Sequence, residues 1–207
     1  MGLRMKFNLV LLLAFLIGLG LAAYLSDRIL KQNAREEVVQ NARIMMESAL
    51  SARTYTAEQI KPLLTLQMKR AFRPETISAY AARETFKALR TKYPDYAYKE
   101  AALNPTNLNN RASDWEADII HEFRNNTERK ELVVERDTPT GRMLNLARPL
   151  GIYDEGCLTC HGKVEDAPKT FTDLYGVSNG FGWKMGEIIG AQIVTVPMSV
   201  PLARAQQ

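Results

Sequence analysis

The sequence predicts an α+β domain carried on an N-terminal anchor helix, and three observations lead there. Residues 7–25 read FNLVLLLAFLIGLGLAAYL, mostly apolar and free of charge. Apolar residues then recur at helical spacing as far as Phe123, and after Asn126 the pattern changes to short strand-like runs. Ahead of the last such run lies Cys157-Leu158-Thr159-Cys160-His161, which holds both cysteines of the chain and one of its two histidines. Helices first, then antiparallel strands around a loop of chemistry-bearing residues, is the order of an α+β domain.

The apolar run of 19 residues is just long enough to cross a hydrocarbon core as a helix. Arg4 and Lys6 precede it, as in a signal-peptide n-region or a start-transfer anchor. Gly20-Leu21-Ala22 offers a small-x-small cleavage site. The run nevertheless exceeds the usual apolar region of roughly 7–15 residues in a signal peptide, and it passes directly into a helical pattern. Residues 1–25 are therefore expected to be an uncleaved anchor. Arg28, Lys31 and Arg35 lie just past its far end, so counting basic residues alone leaves the orientation open.

Residues 26–61 predict a long stalk helix, rich in Ala, Glu, Arg and Gln, with no internal Gly or Pro and with Pro62 following. Ile29, Val38, Val39, Ala42, Met45, Met46, Ala49 and Leu50 form its partial apolar stripe. Residues 62–207 are expected to form the domain. A second helix opens at Arg73-Pro74-Glu75-Thr76 and runs to about Lys92, with Ile77, Ala81, Ala88 and Leu89 on its buried side. Residues 95–111 read as irregular, with a turn at Asn104-Pro105-Thr106-Asn107. Ser113, with Glu116 three residues on, makes a capping box for a third helix bearing Trp115, Ile119, Ile120 and Phe123. Strands are expected at 131–136 and 142–150, joined by a longer, Gly-containing hairpin connection at 137–141. A short helix at 170–175, a loop at 176–182 and a last strand at 186–196 complete the pattern.

C-x-x-C-H is the signature of covalent haem attachment. Haem carries two vinyl groups, each able to accept a thiol as a thioether, and the adjacent imidazole reaches the iron from the proximal side. The expectation is one covalent haem c on Cys157 and Cys160 with His161 as proximal ligand. A structural zinc site wants about four ligands, and the remaining histidine, His121, is far away in sequence. A thioredoxin-like dithiol wants a preceding βαβ unit, whereas residues 151–162 are a Gly-flanked loop. Two unrelated thiols in an exported domain would tend to pair as a disulfide. Bacteria attach haem c on the outer side of the inner membrane, so the expected protein is single-pass, with its domain on the periplasmic, extracytoplasmic side.

The net charge is +4, and the two basic residues of the anchor, with no acidic ones, leave +2 from Ser26 onward. So small an excess does not suggest a nucleic-acid partner. Nothing in the pattern suggests a dedicated small-molecule substrate or a catalytic nucleophile, so enzyme function is left open rather than expected.

Several stretches resemble the Tll0287-like family, also called DUF3365, of haem-binding proteins. They are Tyr55-Thr56-Ala57-Glu58-Gln59-Ile60-Lys61-Pro62, Tyr93-Pro94-Asp95-Tyr96, Leu103-Asn104-Pro105-Thr106-Asn107 and Trp115-Glu116-Ala117-Asp118. The Cys157–His161 motif, Tyr175-Gly176, the run from Asn179 to Lys184 and the run from Gly190 to Met198 complete the likeness, which spans about Ala42 to Pro201. The resemblance implies a c-type haem held against a PAS-like, five-stranded antiparallel sheet. In many relatives that domain is the sensor of a kinase or chemoreceptor. This sequence reaches Gln207 without a second span or signalling module, so a separate redox or signalling partner is expected.

The sixth iron ligand separates an electron carrier from a ligand sensor. Some family members use a cysteine there, and this chain has no third one. Met46 or its neighbour Met45 is the first candidate and His121 the second; Met143, Met185 and Met198 follow, and an open iron remains. Haem propionates favour Arg, Lys or Trp N–H partners, for which Trp183 and Lys184, then Arg142 and Arg148, are candidates. Electron transfer by Fe(III)/Fe(II) cycling is the favoured reading, a redox or gas sensor acting through a partner the alternative. A peroxidase-like enzyme would need a distal acid–base group, for which His121 is the ordinary candidate.

Overall fold

A computed structural model describes residues 2–198; the end of the resemblance at Pro201 and the tail of the 62–207 unit lie outside the described residues. The expected anchor and stalk are one α-helix, α1 (Leu3–Tyr55), of 53 residues, about 80 Å from end to end. Its first part is exposed on every side and has a mean hydropathy of 2.5. That is long and apolar enough to cross a membrane, two properties a signal sequence shares.

From Ala34 onward one face of α1 turns into the protein, burying Ala34, Val38, Val39, Ala42, Met46 and Ala49 at helical spacing. Ile29 lies ahead of that contact and is exposed. After Tyr55 the helix widens into a π-turn, Thr56–Ile60, and continues as α2 (Lys61–Leu63) and α3 (Thr65–Arg70). Pro62 explains the widening. Its ring crowds the carbonyl of Glu58, four residues back, and it has no N–H to offer; a wider turn accommodates both.

Helix α4 (Ser78–Arg90) begins after a short turn at Pro74–Thr76 rather than at Arg73. Its buried side is Ala82 and Phe86, not the expected Ala88 and Leu89, because Phe86 seats on Tyr98 with ring centroids 5.1 Å apart. Strand β1 (Ala97–Ala102) occupies part of the stretch expected to be irregular. Its Lys and Glu conceal the alternation. Glu100 is neutralised by Arg53 on one face of the sheet and Lys99 by Glu116 on the other, so charged residues occupy positions that a hydrophobic pattern assigns to apolar ones.

The capping box at Ser113 is present and opens α5 (Asp114–Asn125), which buries Ile119, Ile120 and Phe123. Each such side chain contributes roughly 1.5–3 kcal/mol by leaving water. Strands β2 (Leu132–Thr138) and β3 (Gly141–Gly151) form a hairpin in which Thr138 pairs with Gly141. The connection is therefore two residues, Pro139 and Thr140, shorter than expected, and Gly141 takes the positive φ (119°) that follows the turn. Strand β4 (Ile188–Pro197) closes an antiparallel sheet of order β1-β4-β3-β2.

The sheet has four strands among the described residues, where the resemblance implies five. The segment after β1 contains Pro105 and makes a single bridge, Ala102 to Arg111. Helices α1 and α4 cover one face of the sheet through Met46, Phe86, Tyr98, Leu146 and Val194. Helix α5 covers the other, through Ile120, Phe123, Ala147 and Ile193.

Candidate haem site

The C-x-x-C-H run leaves β3 at Gly151 and folds into a one-turn helix, α6 (Leu158–His161). Asp154 caps the short 3-10 turn before it, Glu155–Cys157, by accepting the Gly156 N–H at 2.8 Å. Cys157 and Cys160, three residues apart, share one side of the turn. Both are half-buried and neither is in a disulfide. Burial pushes both thiols above the ordinary cysteine value, helped at Cys157 by the charge of Asp154 and opposed by Lys61 and Arg53.

His161 is fixed on three sides. Its Nδ1 lies 2.7 Å from the Gly180 carbonyl oxygen and 3.4 Å from Thr106 Oγ1. A carbonyl only accepts, so the Nδ1 atom carries the proton and Nε2 keeps the lone pair. Burial holds the imidazole below the ordinary histidine value, with the Gly180 bond opposing. Trp183 stacks on the ring at 4.0 Å between centroids and 17° between planes. Phe171, from α7 (Lys169–Tyr175), meets it edge-on at 5.7 Å.

The loop that supplies Gly180 and Trp183 is tied to the motif by its backbone. Gly182 N–H donates to the Gly162 carbonyl and Trp183 N–H to that of His161, at 2.8 and 3.1 Å. Asn104 Oδ1 accepts the Gly180 N–H at 3.3 Å. Gly180 has φ +80°, and a Cβ there would lie 2.0 Å from Thr106 Oγ1 and 2.8 Å from Thr106 N. The position therefore requires glycine. A neutral histidine with its Nδ1–H bound to a carbonyl is the form that ligates a metal through Nε2. Two adjacent, unpaired thiols beside it suit a macrocycle joined by thioethers. Among the described residues no group of three or more His, Cys, Asp and Glu side chains is arranged to hold a bare metal ion. The donors present fit a haem.

The sequence profile of the family described as Tll0287-like matches residues 31–197. The chain belongs to the Tll0287-like family. Among solved structures it is similar to the crystal structure of the cyanobacterial heme-protein Tll0287, with a TM-score of 0.60 and 16% identity. The likeness covers 78% of this chain and 95% of that one, and at this identity it speaks for the fold. No curated protein matches the chain.

Within this Tll0287-like fold the other candidate residues lie at different places. Met46 is fully buried in the apolar layer between α1 and the sheet, with Val38, Ala42, Phe86 and Leu146. Met45 packs at the margin of that layer. His121 is exposed on α5, across the sheet from α1. Met143 and Met198 are buried and Met185 is exposed. Arg142 pairs with Glu135 at 2.8 Å and Arg148 with Glu47 at 2.6 Å, which commits both guanidiniums to the fold. Lys184 is exposed. Trp183, expected as an N–H donor to the cofactor, presents its ring face to His161. Asn104, Thr106 and Gly180 fall in stretches that carry the family likeness, but neither they nor Phe171 have a role legible in the sequence. A further signal is the glycine density of residues 176–186, and in the structure four of these glycines have positive φ.

Proposed function

We propose that the chain holds one c-type haem through Cys157 and Cys160, with His161 as proximal ligand, and transfers electrons. The carrying observation is the locked imidazole: Nδ1 bound to Gly180, one ring face on Trp183, and Nε2 left as donor. When bound, haem supplies a one-electron Fe(III)/Fe(II) couple. The chain's own part is to hold a neutral imidazole in one orientation, so that little rearranges when charge changes. The half-buried thiols of Cys157 and Cys160 would hold the group by thioethers, while Phe171 of α7 packs edge-on against His161. The N-terminal segment, residues 1–25, is proposed as an anchor in the inner membrane, with the domain on the periplasmic side and a redox protein as partner. The sheet is proposed as a PAS-like one with a reduced edge next to β1.

Peroxidase staining for haem on a denaturing gel tests the attachment. Stain is expected on the band after boiling in detergent, and on Cys157→Ser/Cys160→Ser it is expected to vanish. A matured protein whose stain is lost on boiling would overturn covalent binding. Digestion of the domain by protease added to intact spheroplasts tests the topology, and full protection would reverse it.

A second reading, a redox or gas sensor acting through a partner, is favoured by one observation. Met46 is enclosed in the apolar layer between α1 and the sheet, and His121 is exposed on the helix that covers the other face. An iron without an internal sixth ligand is open to exogenous ones. Rapid stoichiometric binding of CO by the ferrous protein would favour this reading, and refusal of CO would favour the carrier.

A further inference from the structure

Helix α1 joins the apolar run of residues 7–25 to the domain without a break, and residues 26–33 between them are exposed on every side. No Gly or Pro lies between Leu21 and Tyr55, and these residues are the usual causes of a sharp helix bend. The exposed stretch is therefore a stiff strut of about 12 Å. Beyond it, α1 is held to the domain by the burial of Ala34, Val38, Val39 and Ala42. Three ion pairs add to that hold: Arg35 with Glu135 at 2.6 Å, Arg43 with Glu131 at 2.9 Å, and Glu47 with Arg148 at 2.6 Å.

These pairs give α1 a direction on the sheet. As α1 advances from Arg35 to Arg43, its partners step back from Glu135 in β2 to Glu131, just ahead of that strand. Glu135 faces Leu144 in the register, and by Glu47 the contact has moved along β3 to Arg148. The β2–β3 turn thus belongs to the anchor end of the sheet, and Gly151 to the far end. The groups that seat His161 leave from that far end. The C-x-x-C-H run follows Gly151, Gly180 and Trp183 precede Ile188, where β4 starts, and Thr106 follows Ala102, where β1 ends. In the register Ala102 and Leu150 both lie against Gly190, so the three strand ends sit side by side. Arg35 stands about 15 Å beyond Leu25 along the helix, and the strand from Leu144 to Gly151 extends up to about 23 Å further. The headgroup layer on one side of a bilayer is only about 5–8 Å deep.

We propose that the domain carries its haem end away from the bilayer, and that its redox partner is a water-soluble protein that meets this end from the aqueous phase. A lipid-dissolved carrier such as a quinol stays within the bilayer and does not reach it. One electron passes between the haem iron and the partner's own redox centre, one being oxidised as the other is reduced, with no bond made or broken. The inference rests on the haem and anchor readings above.

The test places the full haem-loaded chain in phosphatidylcholine vesicles that carry a lipid with a fluorescent headgroup. Energy transfer to the haem quenches that dye and falls steeply with distance, so wild type is expected to show little loss of emission. Lys31→Pro breaks the strut ahead of Ala34 and lets the domain lean over, so a larger loss is expected. Lys31→Gly/Gln32→Gly softens the strut and carries the test where Lys31→Pro does not fold. Wild-type quenching as strong as that of the broken-strut variants would overturn the proposal. In the same vesicles the haem is reduced, freed of excess reductant and mixed with oxidised mitochondrial cytochrome c as a soluble probe. At high salt the outward-facing fraction is expected to be oxidised as fast as the chain in detergent micelles. Loss of that reaction on moving from micelles to vesicles would place the haem against the lipid and overturn the proposal. A chain that fails to float with the vesicles would instead overturn the anchor reading, and an unstained band on the gel the haem reading.

Discussion

The Nδ1 atom of His161 lies 2.7 Å from the carbonyl oxygen of Gly180, nineteen residues later in the chain. That contact sets the tautomer of the imidazole and aims its other nitrogen. It depends on Gly180 having φ +80° and on Thr106 closing over it.

Gly180→Ala is expected to disturb this geometry directly. A Cβ at Gly180 would meet both the side chain and the backbone of Thr106, and the left-handed conformation alone costs about 1 kcal/mol or more in a non-glycine residue. The expected result is a lower melting temperature and an altered ferric spectrum. Thr106→Ala in the same chain is not expected to restore either, because the Thr106 nitrogen would still be 2.8 Å away. An unchanged spectrum would show that Gly180 does not orient His161.

Trp183→Leu is expected to raise the reduction potential. The indole face lies against the imidazole, which gains positive character when iron is ferric, and a cation over an aromatic face is worth ~0.5–1 kcal/mol. Converted at 59 mV per tenfold for one electron, that is roughly 20–40 mV. Trp183→Phe should retain part of the effect. Potentiometric titration of the three proteins checks the order, and a fall in potential on Trp183→Leu would contradict it.

Met46→Ala is expected to behave as a core truncation. The side chain is fully buried among apolar neighbours, so the loss should be about 2–5 kcal/mol of stability. Met46→Leu, similar in volume, should cost less than about 1.5 kcal/mol. Neither should change the spectrum of the ferric haem. A sulfur-to-iron charge-transfer band that disappears on Met46→Leu would instead make this methionine the sixth ligand.

The acid side of the stability profile should report on Glu135. It lies between Arg35 of α1 at 2.6 Å and Arg142 of β3 at 2.8 Å. Burial works against its charge, and the two arginines outweigh burial and hold the carboxyl below its ordinary value. Its contribution is then complete above the ordinary carboxylate range and is lost as pH falls through the lowered value. Glu135→Gln is expected to lower the melting temperature at neutral pH and to reduce its decline on acidification. Parallel curves for the two proteins would rule this group out as a source of acid sensitivity.

Much of this protein was legible without coordinates because the signals were local. The apolar run before Tyr24, the capping box of Ser113 and Glu116, the β2–β3 hairpin and the C-x-x-C-H motif each depend on residues close in sequence. The same holds for the family membership, since the matched stretches run through residues 31–197. What tertiary structure decided involved partners far apart in the chain. Strand β1 escaped notice because its Glu100 and Lys99 are neutralised from α1 and α5, 47 and 17 residues away. The stripe of α4 shifted because Phe86 found Tyr98. Trp183 stacks on His161 because its loop folds back onto α6. A sequence pattern records which residues prefer burial; which charge meets which, and which ring faces His161, is set only when separate segments close on each other.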